Sequence, residues 1–236
     1  MSVKTAVPDI VPLIEALKAA GSSRNVEGMA RYGIRPAKVF GVPLSIMRSM
    51  IREEGLKRDH ALAAALWESG WHETRMLAVL LAEPKRVDGA QMEAWAAQFD
   101  SWAICDGACI HLFRRAPLAW EKTLEWCGRE REYVKRAGFA LAATLAVNAK
   151  NEPDSRFLPL LEAVEREADD PRNFVKKAVN WALRSIGKRS LELNSLAIAS
   201  ANRIAGQGGL SARGVANGAL RELTGREVQE RLGSRR

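Results

Sequence analysis

From Asp9 to Leu223 the sequence sets apolar residues three and four apart in one segment after another, with short breaks of Gly, Pro or Asp between them. No other feature narrows the possible folds so far. The segments run 9–21, 42–55, 59–70, 72–84, 89–100, 100–113, 117–128, 131–150, 154–170, 171–188 and 190–206. Strand signals are sparse: there are two tyrosines, few threonines and almost no sustained alternation bounded by turn residues. An all-α chain is expected. Gly21, Gly55 and Gly70 each close a segment, and Asp59 stands where a helix N-cap is needed. Connections this short join antiparallel helix pairs.

Three of the helices resemble one another. "VKRAGFALAATL", "VKKAVNWALRSI" and "ARGVANGALREL" each put a basic residue ahead of a small and apolar run, and Arg136, Lys177 and Arg213 follow one another at intervals of 41 and 36 residues. HEAT-type repeats have a period in that range. The expected architecture is therefore a curved α-solenoid of antiparallel HEAT-like repeats, a single domain over 1–236. Residues 1–25 are expected to supply an N-terminal helix and linker, and 207–236 the C-terminal capping helices. Gly214 and Gly218 cost about 1 kcal/mol each in a helix interior, so this cap is expected to be loosely held.

A chain of 236 residues that is 47% hydrophobic can bury a substantial core. It has no run of about 18 apolar residues, and its start lacks the basic segment, apolar stretch and cleavage site of a secretory signal. A cytoplasmic, monomeric protein without a membrane partner is the expectation. The net charge of +8, from 36 Lys+Arg against 28 Asp+Glu, favours polyanionic partners. Cys105, Cys109 and Cys127 are an odd number without an export signal, which argues for packed core thiols over disulfides. Cys105 and Cys109 share a helical face, but His111 is turned away and no fourth ligand has a convincing spacing, so no metal is expected. There is no phosphate-binding loop after a strand and no H-E-x-x-H. "HETR" at 72–75 reads as a helix start, and "AGQGGLSARG" as a turn between helices.

One stretch carries chemistry. In "DSWAICDGACIHLF", Trp102 and Asp106 are four residues apart, on one helical face in apolar surroundings. A carboxylate there costs several kcal/mol to bury unless it is paired or solvated. A cleft or a salt bridge follows, with Arg136 the obvious partner. From the sequence alone Trp102 and Trp181 read as core residues, and Trp67, Trp71, Trp95, Trp120 and Trp126 have no neighbour that suggests chemistry.

Taken in order, "DSWAICD", "YVKRAGFAL" and "DPRNFVKKAVNWALRSIGKR" resemble the AlkD-like DNA alkylation repair family, HEAT-like glycosylases that remove alkylated purines. "GMARYGI" (28–34), "LWESGWHETRMLA" (66–78) and "ALREL" (219–223) extend the resemblance from about Val26 to Leu232. It implies that Asp106 is the catalytic carboxylate, that Trp102 and Trp181 are aromatic walls of the lesion site, and that Arg136 is a cation beside the DNA backbone and the carboxylate. It implies no metal or organic cofactor. It also includes relatives thought to bind DNA without excising bases. The sequence departs from the family at Ala103, where an acidic residue is common, and at Gly214 and Gly218, where a tryptophan and an aspartate are common.

The implied chemistry is coherent. Alkylation at N3 of adenine or N7 of guanine makes the purine a cationic leaving group, so no general acid is needed. The sugar becomes cationic as the bond breaks, and a fixed carboxylate stabilises it and orients water. Indole faces hold a cationic nucleotide at roughly 0.5–2 kcal/mol apiece. The basic set Arg131, Lys135, Arg136, Lys176, Lys177, Arg184, Lys188 and Arg189 falls on two neighbouring repeats. Of these, Arg136, Lys176 and Lys177 are assigned to phosphate contacts. Duplex DNA carrying alkylated bases is the expected partner. A non-catalytic binder of DNA structures and a HEAT scaffold for protein partners are the alternatives.

Overall fold

The computed structural model describes residues 8–234. Among these residues there are fourteen α-helices, three short 3-10 turns and no strand. The helices are α1 (Val11–Ala19), α2 (Ser23–Arg31), α3 (Leu44–Glu53), α4 (His60–Glu68), α5 (His72–Leu81), α6 (Gly89–Ala96), α7 (Trp102–His111), α8 (Ala119–Cys127), α9 (Glu132–Asn148), α10 (Leu158–Glu167), α11 (Asn173–Gly187), α12 (Leu191–Ala205), α13 (Leu210–Leu223) and α14 (Arg226–Gly233). Among the described residues no helix is long and apolar enough to cross a membrane.

Local chemistry sets many of the boundaries. Ser22, Asp59, Asp88 and Ser190 accept a backbone N–H from the first turn of α2, α4, α6 and α12. Gly55 and Gly70 stop α3 and α4 at φ 62° and 77°, a conformation that side chains other than glycine resist. The predicted segment 154–170 is broken: a 3-10 turn covers Asp154–Phe157, and Pro159 starts α10 in the position where its missing N–H is harmless. Residues 1–25 also differ from the expectation. The helix α2 begins at Ser23, so the link after α1 is short, and the residues before Pro8 lie outside the described ones.

The chain forms two compact units, one ending at Pro117 and the other beginning at Leu118. In the first, Trp67 and Trp95 stack at 4.0 Å with Phe99 edge-on at 6.2 Å, and Leu66, Leu77, Ile104 and Phe113 are fully buried around them. Cys105 and Cys109 belong to this core. In the second unit, α8 packs on α9, α10 on α11 and α12 on α13. The helices α9, α11 and α13, which carry Arg136, Lys177 and Arg213, also pack in sequence, so the repeat seen in the sequence is a repeat of position. The helix α9 is buried from Val134 to Ala146. It comes close to the end of α8 at Gly138, where a Cβ would lie 2.5 Å from the Cys127 backbone nitrogen. Burial pushes the Cys127 thiol pKa up, as fits a core residue.

The helix α13 is continuous through both of its glycines. Around Gly214 a Cβ would meet nothing within 4 Å, whereas at Gly218 it would lie 3.1 Å from the Asn180 amide. That amide donates to the Val215 carbonyl at 2.7 Å. Small residues here let α11 bond directly to the α13 backbone.

Candidate functional site

The helix α7 buries Ile104, Cys105, Ala108 and Cys109 and leaves Trp102 and Asp106 half-buried, one turn apart. It packs on α5, where the tip of the Met76 side chain fills the space beside Gly107, 2.6 Å from where a Cβ would lie. The Trp102 indole is fixed at its polar edge, where Nε1 donates to the Tyr32 carbonyl at 2.9 Å. Trp102 and Tyr32 line one cleft of about 440 Å³ with Met29, Ile34, Val42 and Pro43 among its other walls. Tyr32 is 75% exposed, which leaves an aromatic ring for a ligand to cover. The sequence reading missed Tyr32; its presence inside "GMARYGI" was the available signal.

The cleft wall at 40–43 is built by backbone capture. Gly41 has φ 82°, and a Cβ there would lie 2.3 Å from the Ser22 carbonyl oxygen, so only glycine fits. The Glu73 side chain is fully buried, and its carboxylate accepts three backbone N–H groups: Phe40 at 3.0 Å on Oε2, Gly41 at 2.7 Å and Val42 at 3.2 Å on Oε1. Asn25 Nδ2 donates to the Gly41 carbonyl at 2.9 Å, and the His72 N–H to the Lys38 carbonyl at 2.9 Å. Phe40 stacks on Trp71 at 4.0 Å. A buried charge satisfied by backbone donors is tolerable, and here it fixes the shape of the cleft beside Trp102.

His72, next to this clamp, is 7% exposed, and its Nδ1 has no hydrogen-bond partner among the described residues. Burial holds its imidazole below the ordinary value of 6.5, against the opposing pull of Glu73 and Asp100. Protonation therefore favours the unfolded chain, so the stability linked to His72 is present above pH 6.5 and is lost as pH falls through the lower folded value. Thermal melts at pH 7.5 and 5.5 should show a drop in acid that His72→Gln reduces. An equal drop in both proteins would count against this role.

In the second unit, Arg136 is buried at 6% exposure, and its Nη1 donates to the Phe174 carbonyl at 2.6 Å, tying α9 to the first turn of α11. Trp181 is half-buried and packs on the core of this unit. The basic set divides. Lys135 is buried against Glu167 and Asp170; Arg184 and Lys188 both hold Glu222; Arg189 holds Asp154 and lies 4.5 Å from the Phe157 ring. The Arg172 guanidinium, bonded to Asp170, takes that carboxyl from 3.8 down to about 2. Lys176 and Lys177 make no ion pair among the described residues, and they line a cleft of about 450 Å³ with Asn180, Arg184, Leu210 and Gly214. The open floor at Gly214 belongs to this cleft.

A family model described as "DNA alkylation repair enzyme" matches residues 13–227, most of the chain. The chain belongs to that family. It is similar to an uncharacterised protein of Listeria innocua serovar 6a, 22% identical over 167 residues that cover 70% of this chain and 72% of that protein. Among solved structures it is similar to a member of "a new family of proteins related to the HEAT-like repeat DNA glycosylases with affinity for branched DNA structures". That likeness has a TM-score of 0.73 at 20% identity and covers 83% of each chain, which shows that the chain has the HEAT-like fold.

Proposed function

We propose that the chain is a DNA glycosylase that hydrolyses the N-glycosidic bond of cationic alkylpurines in duplex DNA. The observation that carries this reading is the pairing on α7 of a fixed indole, which lines a largely apolar cleft with Tyr32, with a half-buried carboxylate one turn further along the same helix. Family membership supports it. In this reading Trp102 and Tyr32 accept a cationic nucleotide by cation–π and stacking contact. Asp106 stabilises the developing sugar cation and orients water on it. Lys176 and Lys177 hold phosphates in the α11–α13 cleft. Trp181 and Arg136 keep the roles that the family resemblance implies, an aromatic wall and a cation toward the DNA, with Arg136 also anchoring α9 to α11.

A second reading is a non-catalytic binder of DNA structures. The affinity for branched DNA named for the structural neighbour favours it. Chromatography of bases released from methylated duplex DNA separates the two, since only the glycosylase liberates free purine.

Phosphate contact in the α11–α13 cleft has its own test. Lys176→Ala/Lys177→Ala should weaken duplex binding and reduce the slope of log K against log salt by about 2, at roughly 0.9 per phosphate lost. An unchanged slope would remove both lysines from the DNA contact.

A further inference from the structure

Five cationic side chains gather at the C-terminal end of α7. Arg48 Nη2 on α3 lies 3.5 Å from His111 Nε2. Arg114 Nε donates to the Ile110 carbonyl at 2.7 Å, and Arg115 donates to the His111 carbonyl. Arg58 donates to the Ala82 carbonyl just beyond α5. Arg58, Lys85 and Arg115 line a cleft of about 420 Å³ whose one carboxylate, Glu83, is engaged by Arg86 at 3.0 Å. Arg48, Arg58, Arg114 and Arg115 make no ion pair among the described residues.

Helix-end carbonyls attract cations, and that accounts for Arg58, Arg114 and Arg115. It does not account for Arg48, which arrives from another helix, or for Lys85. The three capping guanidiniums each spend one of five N–H donors on a helix-end carbonyl, so most of the fork remains for a ligand. Guanidinium forks match phosphate oxygens, and an open track of several cations fits a repeating row of phosphates better than a single small anion. The track is not a part of the Trp102 and Asp106 face. His111 is five residues beyond Asp106, turned about 140° around the helix, and about 14 Å along the axis from Trp102.

We propose that Arg48, Arg58, Lys85, Arg114 and Arg115 form a second phosphodiester-binding site, which holds nucleic-acid backbone away from the nucleotide at Trp102 and Asp106. It rests on the reading of the chain as a DNA-binding protein. His111 is a built-in reporter. Burial, then Arg48, Arg114 and Arg115, push its pKa below 6.5. A phosphate drawn among these cations opposes them and raises it.

The test is an NMR titration of the His111 imidazole in the full chain, assigned with His111→Gln, without and with a short unmodified duplex, and separately with inorganic phosphate. The pKa should rise by about half a unit with DNA, and the rise should fade as salt increases. Arg58→Ala/Arg115→Ala should abolish the rise and lower the salt slope of duplex binding by about 2. Lys85→Glu, at an exposed position, should lower the slope if the double variant does not fold. Duplex binding by the wild type with an unmoved His111 and unchanged slopes overturns this site and leaves the glycosylase reading standing. Absence of duplex binding by the wild type overturns the DNA-binding reading itself. A rise with phosphate but not with bound duplex overturns the nucleic-acid assignment of the site.

Discussion

With asparagine in place of Asp106, the protein should fold and bind DNA as before but release methylated purines about 10²–10³ more slowly. The amide keeps the shape of the side chain and loses the charge that stabilises a cationic sugar. The effect belongs to the transition state, so it should appear in the rate of base release from saturated enzyme and not in DNA affinity. Folding is the necessary control. Asp106 is half-buried on a helix whose other face is core, and a purely structural carboxylate would show itself differently. Losing the charge of a structural ion pair costs several kcal/mol of stability. A variant that melts with the wild type yet fails to excise supports catalysis by Asp106; normal excision by the variant refutes it.

Glu73→Ala should be the most destabilising single change near the cleft, by about 3–5 kcal/mol. It strands the Phe40, Gly41 and Val42 N–H groups, all of which now donate to the one buried carboxylate. For a chain of this size the loss corresponds to a fall of about 10 °C in Tm. Glu73→Gln should fall between, because its carbonyl oxygen keeps an acceptor for Gly41 while its amide presents a donor to one of the other N–H groups. The cleft should suffer before the rest of the unit does, since Gly41, Val42 and Pro43 are part of its lining. Urea titration followed by tryptophan emission measures the effect, and a midpoint unchanged by Glu73→Ala would show that the clamp is dispensable.

Much of the fold was legible because helical periodicity, caps and breaks agree with one another. Asp59 caps α4 as its place in the sequence suggests, and the interval between Arg136 and Lys177 marks successive packed helices. The helix α2 was not legible by the same means. "SRNVEGMAR" is mostly polar, buries no residue fully, and is secured by the Ser22 cap and by Asn25 reaching Gly41. Missing α2 also concealed Tyr32, which sits at its end. Repeat position did not foretell environment either: Arg136 is buried while the matching Lys177 is exposed, because Gly138 draws α9 tightly under α8. Charge alone does not sort the basic set. Lys135, Arg184, Lys188 and Arg189 are spent on carboxylates that lie 32 to 38 residues away in the chain, which no local pattern reveals. Trp102 and Asp106 were legible because their i, i+4 spacing survives as a shared face of α7.

The deciding measurement is the release of free base from duplex DNA carrying N3-methyladenine and N7-methylguanine, followed by chromatography with the wild type in excess over DNA. Free methylated purine, appearing with the wild type at rates far above spontaneous loss and suppressed by Asp106→Asn, is the predicted result. Tight binding of the same duplex with no base released above the spontaneous rate would contradict the glycosylase and leave a DNA-structure binder in its place.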